Sequence, residues 1–100
     1  MRSVMSKKDY ECFICHSTDR LECHHIFGGS DRNVSERYGL KVMLCNDHHH
    51  GTYGAHGKEG KGIQDYLHQI GQERIEEIWS KEGEADPRSR FRREFRKSYL

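Results

Sequence analysis

The stretch Lys41-Val42-Met43-Leu44-Cys45-Asn46-Asp47-His48-His49-His50 decides how this chain is read. Lys41 to Leu44 is short, rich in apolar residues and free of breakers, which predicts a β-strand. It runs straight into Cys45. Asn46 or Asp47 can cap a helix that would carry His48, His49 and His50. A cysteine at a strand end, with a histidine three residues on, is half of a metal site. The other half lies upstream, where Cys12-x-x-Cys15 forms a tight knuckle that points two sulfurs at one place. Cys12, Cys15, Cys45 and His48 together suit one closed tetrahedral site for a structural Zn²⁺.

Between knuckle and strand, Leu21 to His25 predicts another short strand, and it closes on the pair His24-His25. The following Phe27-Gly28-Gly29-Ser30-Asp31 is loop, because two glycines and an Asx-type turn former leave little else. Asn33 to Tyr38 has room for one helical turn, which Gly39 breaks. Downstream of the histidines, Gly51, Gly54, Gly57, Gly60 and Gly62 make a glycine-dense stretch around His56. A helix over Lys61 to Lys81 then follows from Ile63, Tyr66, Leu67, Ile70 and Ile78 near 3.6-residue spacing, with Ile75 and Trp79 widening the stripe. Gly83 ends it. Asp86-Pro87 is an N-cap followed by proline at the first helical position, and a last helix over Pro87 to Leu100 places Phe91, Phe95 and Tyr99 on one face.

The expected fold class is therefore α+β, a small hairpin-and-helix core at about 10–58 stapled by zinc and followed by two helices at about 61–100. Bulk numbers agree with a single domain over residues 1–100. Only 33% of residues are of the hydrophobic class, and mean hydropathy is −1.03. So polar a chain buries a thin core and needs a staple. The four cysteines would allow two disulfides, but the absence of a signal-like apolar run predicts a cytoplasmic chain with reduced thiols, where metal binding is the more natural use. No stretch reaches membrane-span length, so no membrane partner is expected.

Net charge is only +1 although 33% of residues are charged. That near-neutrality hides two poles. Glu73, Glu76, Glu77, Glu82, Glu84 and Asp86 precede Arg88, Arg90, Arg92, Arg93, Arg96 and Lys97. The basic set, with Arg88, Arg92, Arg93, Arg96 and Lys97 as its contacts, would bind DNA phosphates without reading sequence. The alternative is a solvated helix paired within the molecule to the acidic segment.

His24, His25 and His49 are more histidines than one zinc can use. Successive side chains alternate on a strand, so one of the pair His24-His25 can ligate a metal while the other faces a substrate. On a helix neighbouring residues differ by about 100°, from 3.6 residues per turn, so His48 can face the zinc and His49 a second, open site; the two could also exchange roles. Two imidazoles and a free histidine beside an open coordination position form a layout for metal-assisted hydrolysis, with a neutral histidine activating water. Cys23 is expected as a small buried hydrophobe, Trp79 as packing, and His16, His50 and His68 as solvated, with His50 also able to touch a phosphate.

Cys12-x-x-Cys15, Leu21-Glu22-Cys23-His24-His25-Ile26 and Leu44-Cys45-Asn46-Asp47-His48-His49 together resemble the HNH (ββα-metal, His-Me finger) endonucleases. The likeness is nearest to small phage-type HNH proteins, including the nuclease domain of the phage recombination-enhancement protein. It implies a metal-dependent endonuclease or nickase that hydrolyses DNA phosphodiester bonds. It also implies His24 and His49 as ligands of one catalytic divalent ion (Mg²⁺, Mn²⁺, Ni²⁺ or Zn²⁺) and His25 as general base. DNA is the partner so implied, together with a recruiting phage or host protein. Two positions depart from the family pattern. The central Asn falls on Leu40, so a backbone carbonyl or a loop residue such as Asn33 or Ser35 would have to orient His25. The family's last histidine falls on Tyr53, and His56 is the nearest replacement as third ligand. The rival reading is a non-catalytic, zinc-stabilised module that binds nucleic acid or protein.

Overall fold

The computed structural model describes residues 1–100. Strand β1 (Glu22–His25) pairs antiparallel with β2 (Lys41–Leu44), with Glu22 opposite Leu44 and His25 opposite Lys41. Between them come a 3₁₀ turn at Gly29–Asp31 and helix α1 (Arg32–Tyr38). After β2 come the single-turn helix α2 (Asn46–His49), the long α3 (Lys61–Lys81) and α4 (Pro87–Phe95). This is the expected α+β hairpin followed by helices, and no helix is long and apolar enough to cross a membrane.

The hairpin is held by short, satisfied contacts. Gly39 closes α1 at φ 71°, a left-handed conformation that glycine adopts without penalty. Buried Ser35 accepts from the Phe27 amide and donates to the Phe27 carbonyl, both at 2.9 Å, which folds the chain after β1 back onto α1. Ser35 is thus committed to the backbone. The knuckle is pinned to β2 by the Phe13 amide donating to the Met43 carbonyl at 2.8 Å.

The apolar side chains that flank the hairpin, Ile26, Phe27, Leu40 and Leu44, are buried with Leu67, Ile75 and Trp79 of α3 and Phe91 and Phe95 of α4. Gly71 sits on the inner face of α3. A side chain there would press on Ile26 and Phe27, so glycine sets how closely helix and hairpin approach. The aromatic set Phe27, Phe91, Phe95 and Tyr99 interlocks at centroid distances of 4.5 to 6.2 Å, the range favoured for aromatic pairs.

Several sequence expectations need correction. The side chains of Asn46 and Asp47 do not cap α2; Cys45 occupies the N-cap position in extended backbone, and His50 lies past the last turn. The last helix stops at Phe95 rather than Leu100, because Arg96 turns left-handed at φ 68°. Tertiary bonds replace the helical ones: Arg96 reaches Asp31 at 2.7 Å and the Tyr99 amide donates to Gln72 Oε1 at 2.6 Å. Tyr99 still joins Phe27, but from a non-helical tail. Cys23 is exposed rather than buried, since strand alternation sends it away from His24 to the solvent side. His68 is half-buried rather than solvated, stacked on Phe27 at 5.2 Å and near Tyr99 at 4.5 Å.

Candidate metal centres

Cys12, Cys15, Cys45 and His48 converge on one point, with their ligand atoms within 4.8 Å of one another. Each comes from a different local device. The knuckle turns back on itself, its Cys12 amide donating to the Ser17 carbonyl at 2.8 Å and its His16 amide to the Cys12 carbonyl at 2.9 Å. Cys45 ends β2, and His48 follows on the first turn of α2. A tetrahedral zinc with Zn–S of about 2.3 Å would separate its ligand atoms by roughly 3.8 Å. The Cys15 and Cys45 sulfurs are 3.7 Å apart, Cys12 Sγ is 3.8 Å from His48 Nδ1, and Cys45 Sγ is 3.2 Å from the same nitrogen. The group therefore fits a structural zinc in both donor chemistry and spacing. Burial pushes the Cys12 thiol up, but backbone amides of Cys15, Cys45 and Ile14 pull harder the other way, so it lies below its ordinary value. Amides aimed at a sulfur favour the thiolate a metal needs.

His24, His49 and His56 form another group within the same 4.8 Å limit. Strand alternation turns His24 inward, where it is 6% exposed; His49, 7% exposed, comes off α2. Their ring centroids lie 5.2 Å apart, and His56 is 4.9 Å from His24 and 4.7 Å from His49. The glycine-rich segment delivers His56 by packing backbone on backbone. The His56 amide donates to the His49 carbonyl at 2.7 Å and the Ala55 amide to the His48 carbonyl at 2.8 Å. A Cβ on Gly57 would collide with the Gly51 carbonyl oxygen, and one on Gly60 with that of Gly54. Burial, then the neighbouring His56 and His49, pushes His24 down to about 4. Burial also lowers His56. Neutral imidazoles with free nitrogen lone pairs are the protonation state that metal ligation requires. His48 and His49 thus separate as expected: His48 sits with the sulfurs, His49 with the histidines.

His25, the last residue of β1, stands outside that group. Its Nε2 is 2.8 Å from Glu36 Oε1, and Lys41 Nζ holds the second oxygen of that carboxylate at 2.8 Å. His25 and Lys41 are cross-strand partners, so Glu36 of α1 bridges a registered pair. The Lys41 contact first, then His25, holds the Glu36 carboxyl well below the usual carboxylate range. The orienting partner of His25 is therefore neither Asn33 nor Ser35 but Glu36.

Sequence reasoning missed both carboxylates. Glu22 Oε1 is 3.2 Å from His49 Nδ1 and 3.2 Å from His50 Nε2; the His49 hydrogen bond leads the causes that keep its pKa low. A signal existed for Glu22, which stands two residues before His24 and so shares its strand face. None existed for Glu36, which reaches His25 only because α1 folds back over the hairpin.

The basic pole divides. Arg88 pairs with Glu76 at 2.9 Å, Arg90 with Glu84 at 3.8 Å, and Arg96 with Asp31 at 2.7 Å. Lys97 lies 4.7 Å from the centre of the Tyr99 ring. Arg92 and Arg93 are exposed and make no ion pair. Intramolecular pairing therefore accounts for much of the basic set, and two arginines are left to solvent. Comparison of the chain with family models, with curated proteins and with solved structures returned no match.

Proposed function

We propose that this chain is a metal-dependent DNA endonuclease or nickase of the HNH type. The observation that carries the reading is the division of its histidines. One completes a Cys₃His group, and three others gather in a separate group that zinc stapling does not require.

His24 and His49, with His56 as third donor, would hold a divalent ion there. When bound, such an ion supplies positive charge against a phosphoryl oxygen and its leaving group. Imidazole donors suit Zn²⁺ or Ni²⁺ better than the oxygen-seeking Mg²⁺. His25 is the general base. With Nε2–H donated to Glu36, its Nδ1 carries the lone pair that takes a proton from the attacking water, while the resulting imidazolium is stabilised by the same carboxylate. The water oxygen attacks phosphorus as its proton passes to His25; the P–O bond to one sugar breaks, and the departing sugar oxygen takes a proton from solvent. Arg92 and Arg93 provide sequence-independent phosphate contacts.

The test is plasmid nicking by the purified chain with Ni²⁺, Zn²⁺, Mn²⁺ or Mg²⁺. Wild type should nick, and His25→Ala should lose about 10²- to 10⁴-fold with unchanged circular dichroism. A His25→Ala protein that cuts as well as wild type would overturn the base assignment. One bound zinc, no further metal and no cleavage with any ion would favour a zinc-stabilised binding module instead.

A further inference from the structure

We propose that Glu22 is a positioning residue that assigns His49 to the second metal group and keeps it out of the zinc tetrad. The inference rests on the two-centre reading above, and it concerns a choice the chain must make. His48 and His49 are sequence neighbours, both imidazoles, and both leave the same short helix. Nothing in the donor chemistry says which should join the sulfurs.

The partners of the two Nδ1 atoms make the distinction. His48 Nδ1 is 3.2 Å from Cys45 Sγ and 3.8 Å from Cys12 Sγ. His49 Nδ1 is 3.2 Å from Glu22 Oε1. A neutral imidazole has one N–H and one lone pair. A carboxylate can only accept, so the His49 proton is fixed on Nδ1 and the lone pair on Nε2. His49 is nearly buried and so has few other partners. The hydrogen bond fixes the tautomer, orients the ring and raises the basicity of the remaining nitrogen, as carboxylate partners of metal-bound histidines do.

The backbone puts Glu22 in place for this role. It shares a face of β1 with His24, by alternation, and it pairs in register with Leu44, the last residue of β2. One residue later the chain reaches Cys45 and enters α2. Glu22 therefore stands where the strand hands over to the helix, within reach of His49 but on the strand that supplies His24. His50 Nε2 meets the same Glu22 oxygen at 3.2 Å. His50 is half exposed, its ring 4.1 Å from that of His49 and 5.7 Å from that of His56, so it steadies the carboxylate from the outer edge of the histidine cluster.

The experiment is a Co²⁺ titration of the metal-free chain, reading the thiolate-to-cobalt absorption of the Cys₃His group and, by calorimetry, any further equivalent. Wild type should bind two equivalents, one with the thiolate band and one without. Glu22→Ala should keep the thiolate equivalent and weaken the other by about 10- to 100-fold. Glu22→Gln should recover part of that loss, since its amide oxygen still accepts from Nδ1–H. His50→Ala should weaken the second equivalent less than Glu22→Ala does, since the hydrogen bond from His49 Nδ1 to Glu22 remains. Retention of the thiolate band in each variant shows that the fold survives. The proposal fails if Glu22→Ala binds the second equivalent as tightly as wild type. It fails too if wild type binds a third equivalent that Glu22→Ala loses, which would make Glu22 a ligand itself. A wild type that takes only the thiolate equivalent removes both this inference and the two-centre reading. Two equivalents without DNA cleavage would leave Glu22 in its role and remove the nuclease reading alone.

Discussion

His24 and His25 are covalent neighbours with opposite surroundings. His24 is buried among imidazoles and pushed down to about 4; His25 stands outside that group and donates to Glu36. In the proposed reading the first gives a lone pair to a cation and the second takes a proton. Glu36 makes that difference durable, because its other oxygen is already held by Lys41. Glu36→Gln should therefore lower nicking without moving the second metal equivalent. A fall in both together would mean that Glu36 serves the metal group and not His25. Lys41→Met should weaken the same step to a smaller degree, since the Met1 amino group still meets Glu36 Oε2 at 3.1 Å and the His25 contact stays in place.

The glycine-rich segment after α2 has no regular structure, yet it brings His56 to His24 and His49. Its glycines are needed where backbone meets backbone, most acutely at Gly57 against the Gly51 carbonyl. Gly57→Ala should force the segment apart, lower the melting temperature and weaken the second metal equivalent, while Gly62→Ala, where added bulk meets open space, should not. At the junction of α3 with the hairpin, burial holds His68 below its ordinary value of 6.5, with a hydrogen bond to the Ile26 backbone and then Asp65 acting against this and Lys97 with it. A histidine whose folded pKa is depressed gives stability that is present above its unfolded pKa and is lost as pH falls toward its folded one. His68→Phe keeps the stack on Phe27 and should reduce the loss of thermal stability between neutral pH and mildly acid pH relative to wild type. In α4, Arg92→Ala with Arg93→Ala should lower the dependence of log K on log salt for duplex DNA by about 1.8, from roughly 0.9 per phosphate contact. Arg88→Ala should instead act on stability, because its guanidinium is engaged by Glu76.

Across the whole molecule, two supports hold one small body. The apolar support joins hairpin, α3 and α4 through Phe27, Trp79, Phe91 and Phe95. Trp79 is packed edge-on to Tyr38 at 5.3 Å and covered by the Arg90 guanidinium at 4.2 Å. Phe91→Ala should cost about 3–5 kcal/mol, as large-to-small changes in a filled core do, and denaturant melts would measure it. A metal in the Cys₃His group would join knuckle and β2 to α2, whose four residues include no apolar side chain. Structural zinc sites contribute on the order of 10 kcal/mol of apparent binding energy. Chelation should therefore release the knuckle and broaden its amide spectrum while α3 retains helical signal. If chelator leaves the melting curve unchanged, the Cys₃His group is not a structural staple.

The residues alone determined the parts whose cause is local or periodic. Alternation and apolar content gave two strands at nearly their observed bounds. A 3.6-residue stripe gave α3 from Lys61 to Lys81, and Asp86-Pro87 gave the start of α4. Cysteine spacing gave the three sulfurs and left His48 or His49 as the fourth donor, and the fold places His48 there. The resemblance added His24, His49 and His56, and these do gather. What only the tertiary structure decided depends on groups distant in sequence. The end of α4 at Phe95 follows from Arg96 reaching Asp31 and Tyr99 reaching Gln72. The fate of Cys23 and His68 depends on which face is covered and by what. Most of all, the carboxylates of Glu22 and Glu36 acquire their partners across the sheet and from a helix folded over it. Spacing can say which side chains are able to bind a metal. Which proton each histidine keeps is set by the acceptor beside it, and that neighbour exists only once the chain has folded.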